Sequence, residues 1–146
     1  GEGEIMQVAT PDDMYRRPSN RFVAGFLGNP PIAFVEGAVA DGGRFRSHAG
    51  NEIGLPRRLA NLPGGKPVSV GIRPEFYGNA GREILRGKVS FIEPQGRETH
   101  YDVMIGEGEL LRSIQPAGKN VATGEHVDWP LDTDNLLIFD ETGTAL

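Results

Sequence analysis

The chain has 146 residues, enough for one ordinary domain or two very small ones. It contains no cysteine, which excludes disulfides, thiolate metal sites and a cysteine nucleophile. Its net charge of −5 argues against a nucleic-acid surface, because binding to the phosphate backbone needs a basic excess. No apolar run reaches the length of a membrane span, and the acidic N-terminus does not have the order of a signal peptide. We therefore expect membrane contact only through a partner.

The first thirty residues are predicted to form a short strand and two short helices. Residues 4–8 alternate polar and apolar side chains, which is typical of a strand. Thr10 and Pro11 are favourable at a helix start, and Pro18 ends that helix after about two turns. A second helix is predicted over residues 21–27, capped by Ser19 or Asn20.

The sequence after residue 31 favours strands. Glycine and proline number 21 and 11, so turns are frequent, and apolar alternation recurs between them. The pattern predicts an all-β fold in which a pair of small barrel-like units, formed by the strand groups on either side of residue 80, fits better than one sandwich. The strand-helix-helix segment is an N-terminal extension. We divide the chain into residues 1–31 and 32–146. The predicted strands are residues 33–39, 44–46, 51–55, 68–72, 84–92, 101–105, 110–114, 127–131 and 136–139.

No pattern in the sequence predicts a catalytic, cofactor-binding or metal-binding residue. The resemblance of the segment ending at Lys66 to a phosphate-binding loop fails, because the earlier glycine and the following Ser or Thr are missing. Residues 132–135 begin like a calcium loop but lack its glycine. The three histidines, His48, His100 and His126, are too far apart for metal-ligand spacing.

The N-terminal segment resembles part of a known family. In sugar-importer-type ABC ATPases, a strand ending in Gln-x-Gly-Thr-Pro follows the last catalytic motif and leads into a short helix. A second helix carries Asn-x-Phe-Val-Ala-x-Phe-x-Gly. Residues 3–11 and 20–28 are similar to these two motifs, with Ala9 where the family has glycine.

The remainder resembles the TOBE-type (transport-associated OB) region of the same ATPases, and this resemblance implies a two-lobed OB-type β-barrel. Residues 70–75 resemble its signature, residues 89–99 its second strand-turn element, and residues 137–143 its closing strand. The positions that carry these motifs are Arg73, Pro74, Glu75, Glu93, Gly96, Glu98, Phe139 and Asp140.

Simple physical reasons favour a structural role for these positions over ligand binding. Pro74 stiffens the chain as it leaves a strand. Arg73 and Glu75 are expected on opposite sides of that segment, where they could pair across the barrel. Gly96 is expected to permit a turn that a side chain would block.

The resemblance implies a C-terminal regulatory and dimerisation domain of the ATP-binding subunit of an importer, of carbohydrate or glycerol-phosphate type. ATP and Mg²⁺ would belong to a catalytic domain upstream of residue 1, so this fragment is expected to be no enzyme and to hold no cofactor. The implied partners are a second copy of the chain, the transporter's membrane subunits and a regulatory protein or small ligand. The implied location is the cytoplasmic face of the membrane.

Two other functions remain open on the sequence. One is a small-ligand sensor, because related barrels bind an oxyanion between subunits. The other is a free-standing OB-fold that binds nucleic acid, which the acidic charge disfavours. In the importer hypothesis, Ile5, Val8, Phe22 and Phe26 form an apolar face that packs on the missing catalytic domain.

Overall fold

The computed structural model describes residues 10–146, and the strand predicted over residues 4–8 lies outside them. Helix α1 spans Pro11–Arg16, and the Thr10 hydroxyl accepts a hydrogen bond from the Asp13 amide at 3.1 Å. Helix α2 spans Arg21–Phe26. The Asn20 side chain accepts from the Val23 amide at 2.8 Å, so Asn20, not Ser19, is the cap.

Residues 10–146 contain nine strands, all paired antiparallel. They form a five-stranded sheet of order β3-β2-β1-β4-β9 and a four-stranded sheet of order β7-β6-β5-β8. Short 3₁₀ turns occur at Arg57–Leu59, Pro74–Phe76 and Thr133–Asn135. The strands are β1 Ala33–Ala40, β2 Arg44–Ser47, β3 Glu52–Gly54, β4 Pro67–Ile72, β5 Glu83–Gln95, β6 Glu98–Gly106, β7 Glu109–Pro116, β8 His126–Leu131 and β9 Leu137–Asp140.

One hydrophobic core lies between the two sheets. Side chains alternate between buried and half-buried along β1 and along β6 and β7, which is the pattern of strands with one face in a core. The rings of Tyr77 and Tyr101 meet Trp129 edge-on, with centroids 5.8 and 5.1 Å away. The all-β, OB-type prediction is confirmed, and the two predicted strand groups form the two sheets. The exception is β9, which returns to β4 in the first sheet.

Residues 76–79 close the second sheet by contacting both of its edges. The Gly78 amide donates to the Pro130 oxygen at 2.8 Å, in β8. The Asn79 side chain donates to the Ile114 oxygen at 2.8 Å, in β7. The segment therefore links the two edge strands of this sheet.

Residues 10–31, called the N-terminal unit below, pack on the outer face of the first sheet. Ala24 of α2 is fully buried and forms a second, small core with Ile32 and Phe139. The chain after β9 runs between that strand and the N-terminal unit, because Ala145 donates to the Ser19 oxygen at 3.0 Å. The division of the chain at residue 31 remains a prediction. Within residues 10–146, no helix is both long and apolar enough to cross a bilayer.

Candidate functional site

The signature segment begins in β4, where the burial and packing of each position explain the type of residue found there. Val70 and Ile72 are fully buried in the main core. Between them, Gly71 faces the second core, and a Cβ there would lie 2.8 Å from the Cδ1 atom of Ile32. The small residue at 71 therefore lets the second core form on the outer face of the sheet.

Arg73 leaves β4 beneath the N-terminal unit and binds the ends of both helices. Its side chain is 2% exposed. The guanidinium donates to the main-chain oxygens of Leu27 at 2.6 Å, Tyr15 at 3.0 Å and Ala24 at 3.2 Å. The last carbonyls of a helix have no partner within the helix and carry partial negative charge, so a cation suits this position. Arg73 thus satisfies the ends of α1 and α2 and joins them to the barrel.

Tyr15 and Glu75 complete this connection. The Tyr15 ring centre lies 4.0 Å from the guanidinium carbon of Arg73. The Tyr15 hydroxyl donates to the Glu75 carboxylate at 2.5 Å. Burial and the hydrogen bond to Glu75 raise the pKa of Tyr15 to about 12, and burial lowers the pKa of Arg73. Pro74, between the two charged residues, is buried and opens the 3₁₀ turn.

This geometry corrects the expected arrangement of Arg73 and Glu75. Among residues 10–146, no ion pair joins these two side chains. Both contact the N-terminal unit, chiefly through Tyr15, so they do not pair across the barrel. No local pattern in the sequence predicts the role of Tyr15, because it depends on a contact with a residue 60 positions away.

The other motif positions fall into two places. Phe139 is buried under α2, and the Asp140 carboxylate accepts from the amides of Thr142 and Thr144 at 2.9 and 3.0 Å. A hydrogen bond from the Thr142 side chain is the main cause that lowers the pKa of Asp140, and the two amide bonds lower it further. Together these bonds fix the turn that brings the chain back along β9.

Glu93, Gly96 and Glu98 lie instead at the β5–β6 turn, and both carboxylates are exposed. Gly96 has φ +70°, but a Cβ there would meet no atom within 4 Å. The expectation that a side chain would clash at this turn is therefore wrong, because there is room for one. Glycine is favoured instead by the positive φ of the backbone. In residues 10–146, no three His, Asp or Glu side chains are grouped as metal ligands would be.

A groove of about 840 Å³ lies between α1 and β9, next to Arg73. Tyr15 and Arg17 line one side, Arg58 and Asn135 line the other, and Phe76 and Leu137 supply apolar surface. We refer to this space as the α1–β9 groove.

Two pairs of large apolar side chains are exposed. Phe22 and Phe26 of α2 are 73% and 72% exposed, with ring centroids 4.7 Å apart. Ile84 and Phe91 of β5 are 63% and 51% exposed. The buried side of α2 is thus Ala24, and its aromatic side faces away from the barrel.

The fold and the signature segment define a TOBE domain. Residues 70–139 match the family model described as the TOBE domain. The fold is similar to that of the cytoplasmic molybdate-binding protein ModG, with a TM-score of 0.60 and 15% identity over 72% of this chain and 93% of that chain.

Similarity to longer proteins extends over almost the whole chain. The xylose/arabinose import ATP-binding protein of Haloferax volcanii is 34% identical, over 99% of this chain and 40% of its own length. The maltose/maltodextrin import ATP-binding protein of Vibrio cholerae is 31% identical, over 98% of this chain and 40% of its own length. The chain is thus similar over nearly its whole length to ATP-binding subunits of sugar-type ABC importers, and it spans about two fifths of the length of these relatives.

Proposed function

We propose that this chain is the regulatory and dimerisation part of an ABC importer's ATP-binding subunit and contains no catalytic centre of its own. It supports ATP-driven import of a carbohydrate or glycerol-phosphate-type solute. The observation that carries this proposal is the similarity to sugar-import ATP-binding proteins over 96% of the chain or more. ATP and Mg²⁺ are bound by the catalytic domain of the complete subunit, on the cytoplasmic face of the membrane.

The N-terminal unit is the joint between the catalytic domain and the barrel. Phe22 and Phe26 are largely exposed on α2, whereas Ala24 on the same helix is fully buried against the barrel. A pair of exposed aromatic rings is a typical contact surface. In the complete subunit these rings pack on the catalytic domain, and Arg73 transmits their position to the barrel.

The barrel carries the contact with a second copy of the chain. Ile84 and Phe91 of β5 are exposed beside residues of both charges, including the ion pair of Arg86 with Asp128 at 3.0 Å. A surface with apolar groups and both charges is suited to a two-fold contact with itself. The membrane subunits are reached through the catalytic domain.

Two experiments test the proposal. Calorimetry of this chain with ATP should give no saturable binding, and micromolar binding would contradict the assignment as a non-catalytic part. Vesicles containing the complete transporter should lose most solute uptake when residues 33–146 are removed from the ATP-binding subunit, while ATP binding by that subunit persists. Unchanged uptake would show that the barrel has no part in transport.

A further inference from the structure

The chain that follows β9 turns back and runs antiparallel to that strand. The Leu146 amide donates to the Ile138 oxygen at 2.9 Å. The Asp140 amide donates to the Thr144 oxygen, also at 2.9 Å. We refer to residues 143–146 as the strap, which extends the first sheet beyond β9.

The other edge of the strap pairs with the segment between the two helices. The Ala145 amide donates to the Ser19 oxygen at 3.0 Å, and the Arg21 amide donates to the Gly143 oxygen at 2.8 Å. This pairing is also antiparallel. Residues 19–21 are therefore joined to the first sheet by main-chain hydrogen bonds that run through the strap.

The strap is held mainly by its backbone. Thr144 and Ala145 are exposed, and Leu146 is half-buried where it packs against the main core. Strands β1, β6 and β7 instead bury alternate side chains. A hydrogen bond alone contributes little net stability, and segments with few buried apolar contacts open at a lower free energy than the core. The strap is therefore expected to lift before the barrel unfolds.

Two side chains outside the strap hold its ends. The Asp140 carboxylate fixes the turn that leads into it, by accepting two main-chain amide hydrogen bonds. At the other end, Arg58 donates to the main-chain oxygen of Leu146 at 2.9 Å. Arg58 belongs to the 3₁₀ turn at Arg57–Leu59. The strap thus connects residues 19–21 with β9 and with this turn.

Helix α2 is held at both ends, and the strap provides the attachment at its start. The helix begins at Arg21, within the segment that pairs with the strap. Arg73 binds carbonyls at the other end. The exposed rings of Phe22 and Phe26 lie on this helix, so their position depends on both attachments.

The side chain of Arg21 adds to the attachment at the start of α2. It forms an ion pair with Glu36 at 2.6 Å and donates to the Ser69 hydroxyl at 2.7 Å. Both charged side chains are about two fifths exposed, and exposed ion pairs contribute little net stability. The main-chain hydrogen bonds to the strap therefore supply a substantial share of this attachment.

We propose that the strap is the release point of the N-terminal unit. While it lies between β9 and residues 19–21, it fixes the start of α2. When it lifts, α2 moves on the contacts that Arg73 makes at the other end of the helix. The release is a property of this chain, whereas its use rests on the proposed function, in which α2 contacts the catalytic domain. Lifting the strap would loosen that joint without unfolding the barrel.

The test is hydrogen exchange of this chain, resolved at single amides by nuclear magnetic resonance, in the variant A145P. Proline at this position removes the amide that donates to Ser19, while both amide bonds between the strap and β9 can still form. We expect exchange at the amides of residues 21–24 to become about fivefold faster, which corresponds to about 1 kcal/mol, the net contribution of one hydrogen bond. The Arg21 amide is the most direct reporter, because its acceptor is Gly143 of the strap. Exchange in β1 and β6 should change by less than about twofold.

A145S is the matched control, because it alters the same exposed side chain and keeps the amide, so exchange should equal that of the unaltered chain. Thermal melting checks that each variant is folded. Should A145P prove unfolded, R58Q decides the question, since it frees the Leu146 end without a change in the strap and should speed exchange at the same α2 amides.

The inference is overturned if the deciding variant leaves exchange at residues 21–24 unchanged, or if A145S speeds it as much as A145P does. Equal acceleration in the strands would also overturn it, because the loss of stability would then be global. None of these results would affect the proposed function, since exchange in this chain measures neither ATP binding nor solute uptake.

Discussion

The guanidinium of Arg73 contacts Tyr15 twice, through its ring at 4.0 Å and through its main-chain oxygen at 3.0 Å. A single side chain thus contacts both the backbone and the aromatic ring of a residue in α1. The same side chain donates to the carbonyl of Ala24, within α2, and to that of Leu27, just after the helix ends. This combination needs a planar group with several fixed donors, which lysine does not have.

Replacing Arg73 should therefore destabilise the chain strongly. R73M removes three hydrogen bonds from a buried cation and leaves their carbonyls without partners, so we expect the free energy of unfolding to fall by about 3 kcal/mol. R73K should be intermediate, because a single ammonium cannot reach all three oxygens. Chemical denaturation measures both values.

R97M is the control for the loss of an arginine. Arg97 is exposed at a turn, so its replacement should change the free energy of unfolding by less than about 0.5 kcal/mol. Hydrogen exchange adds a local readout, because R73M should speed exchange in residues 11–26 before it does so in the strands. Equal stability of R73M and R97M would refute the connecting role of Arg73.

Tyr15 should ionise at unusually high pH. Its pKa is raised from 10.0 to about 12, first by burial and then by its hydrogen bond to Glu75. A group whose pKa is raised in the folded state stabilises it fully below the unfolded pKa, near 10, and that contribution is lost as pH rises towards 12. Near-ultraviolet absorbance should show the Tyr15 phenolate only above the range of an ordinary tyrosine.

Y15F identifies the signal. The variant keeps the ring over Arg73 but removes the hydroxyl, so the difference spectrum against the unaltered chain isolates the Tyr15 transition. It should also lose the alkaline dependence of stability that Tyr15 causes. A difference spectrum that titrates near the ordinary tyrosine pKa of about 10 would show that the contact with Glu75 does not form in solution.

Gly78 should not tolerate a side chain. It has φ +101°, and a Cβ there would lie 2.3 Å from the Gln115 Nε2 atom and 2.5 Å from the Ser113 Oγ atom, both buried. G78A combines backbone strain with a clash in the segment that closes the second sheet, so we expect a loss of about 3 kcal/mol by denaturation.

The control for Gly78 is Gly50, which has φ +97° but would place a Cβ in open space, with no atom within 4 Å. G50A should cost only the conformational strain, about 1 kcal/mol. If the two substitutions lower the free energy of unfolding equally, the close contacts around Gly78 contribute nothing to stability. The packing of residues 76–79 against the second sheet would then be looser than the structure shows.

Self-association should depend on the barrel surface and not on α2. Sedimentation equilibrium of the chain should show a weak dimer whose dissociation constant rises in I84S/F91S. F22S/F26S removes a similar apolar area from α2 and should leave the dimer unchanged. A strict monomer near millimolar concentration, or dissociation caused only by F22S/F26S, would contradict a contact through the barrel.

Local signals in the sequence predict the elements well. The cap at Thr10 and the stop at Pro18 follow from residue type alone, because capping depends on residues at most three positions apart. For the second helix, residue type narrows the cap to Ser19 or Asn20, and the structure identifies Asn20. The strands follow from period-two alternation, which reports one buried face without reference to the partner strand.

Contacts between distant residues are beyond such reasoning. The return of β9 to β4 and the pairing of Tyr15 with Glu75 depend on topology, which no local pattern specifies. The α1–β9 groove escapes sequence reasoning for the same cause, since Arg17 and Arg58 line one space only because β9 lies beside α1.

The second core under α2 sets where this barrel can be joined to another protein. A hybrid subunit whose junction falls between α2 and β1 would place the helices of another protein on this barrel. Phe139 and Gly71 of the barrel pack with Ala24 and Ile32, and Arg73 binds Tyr15, so foreign helices would lose these contacts. A junction before Thr10 transfers both surfaces together. Exchange of such barrels between related ATP-binding subunits should therefore succeed when the crossover precedes α1.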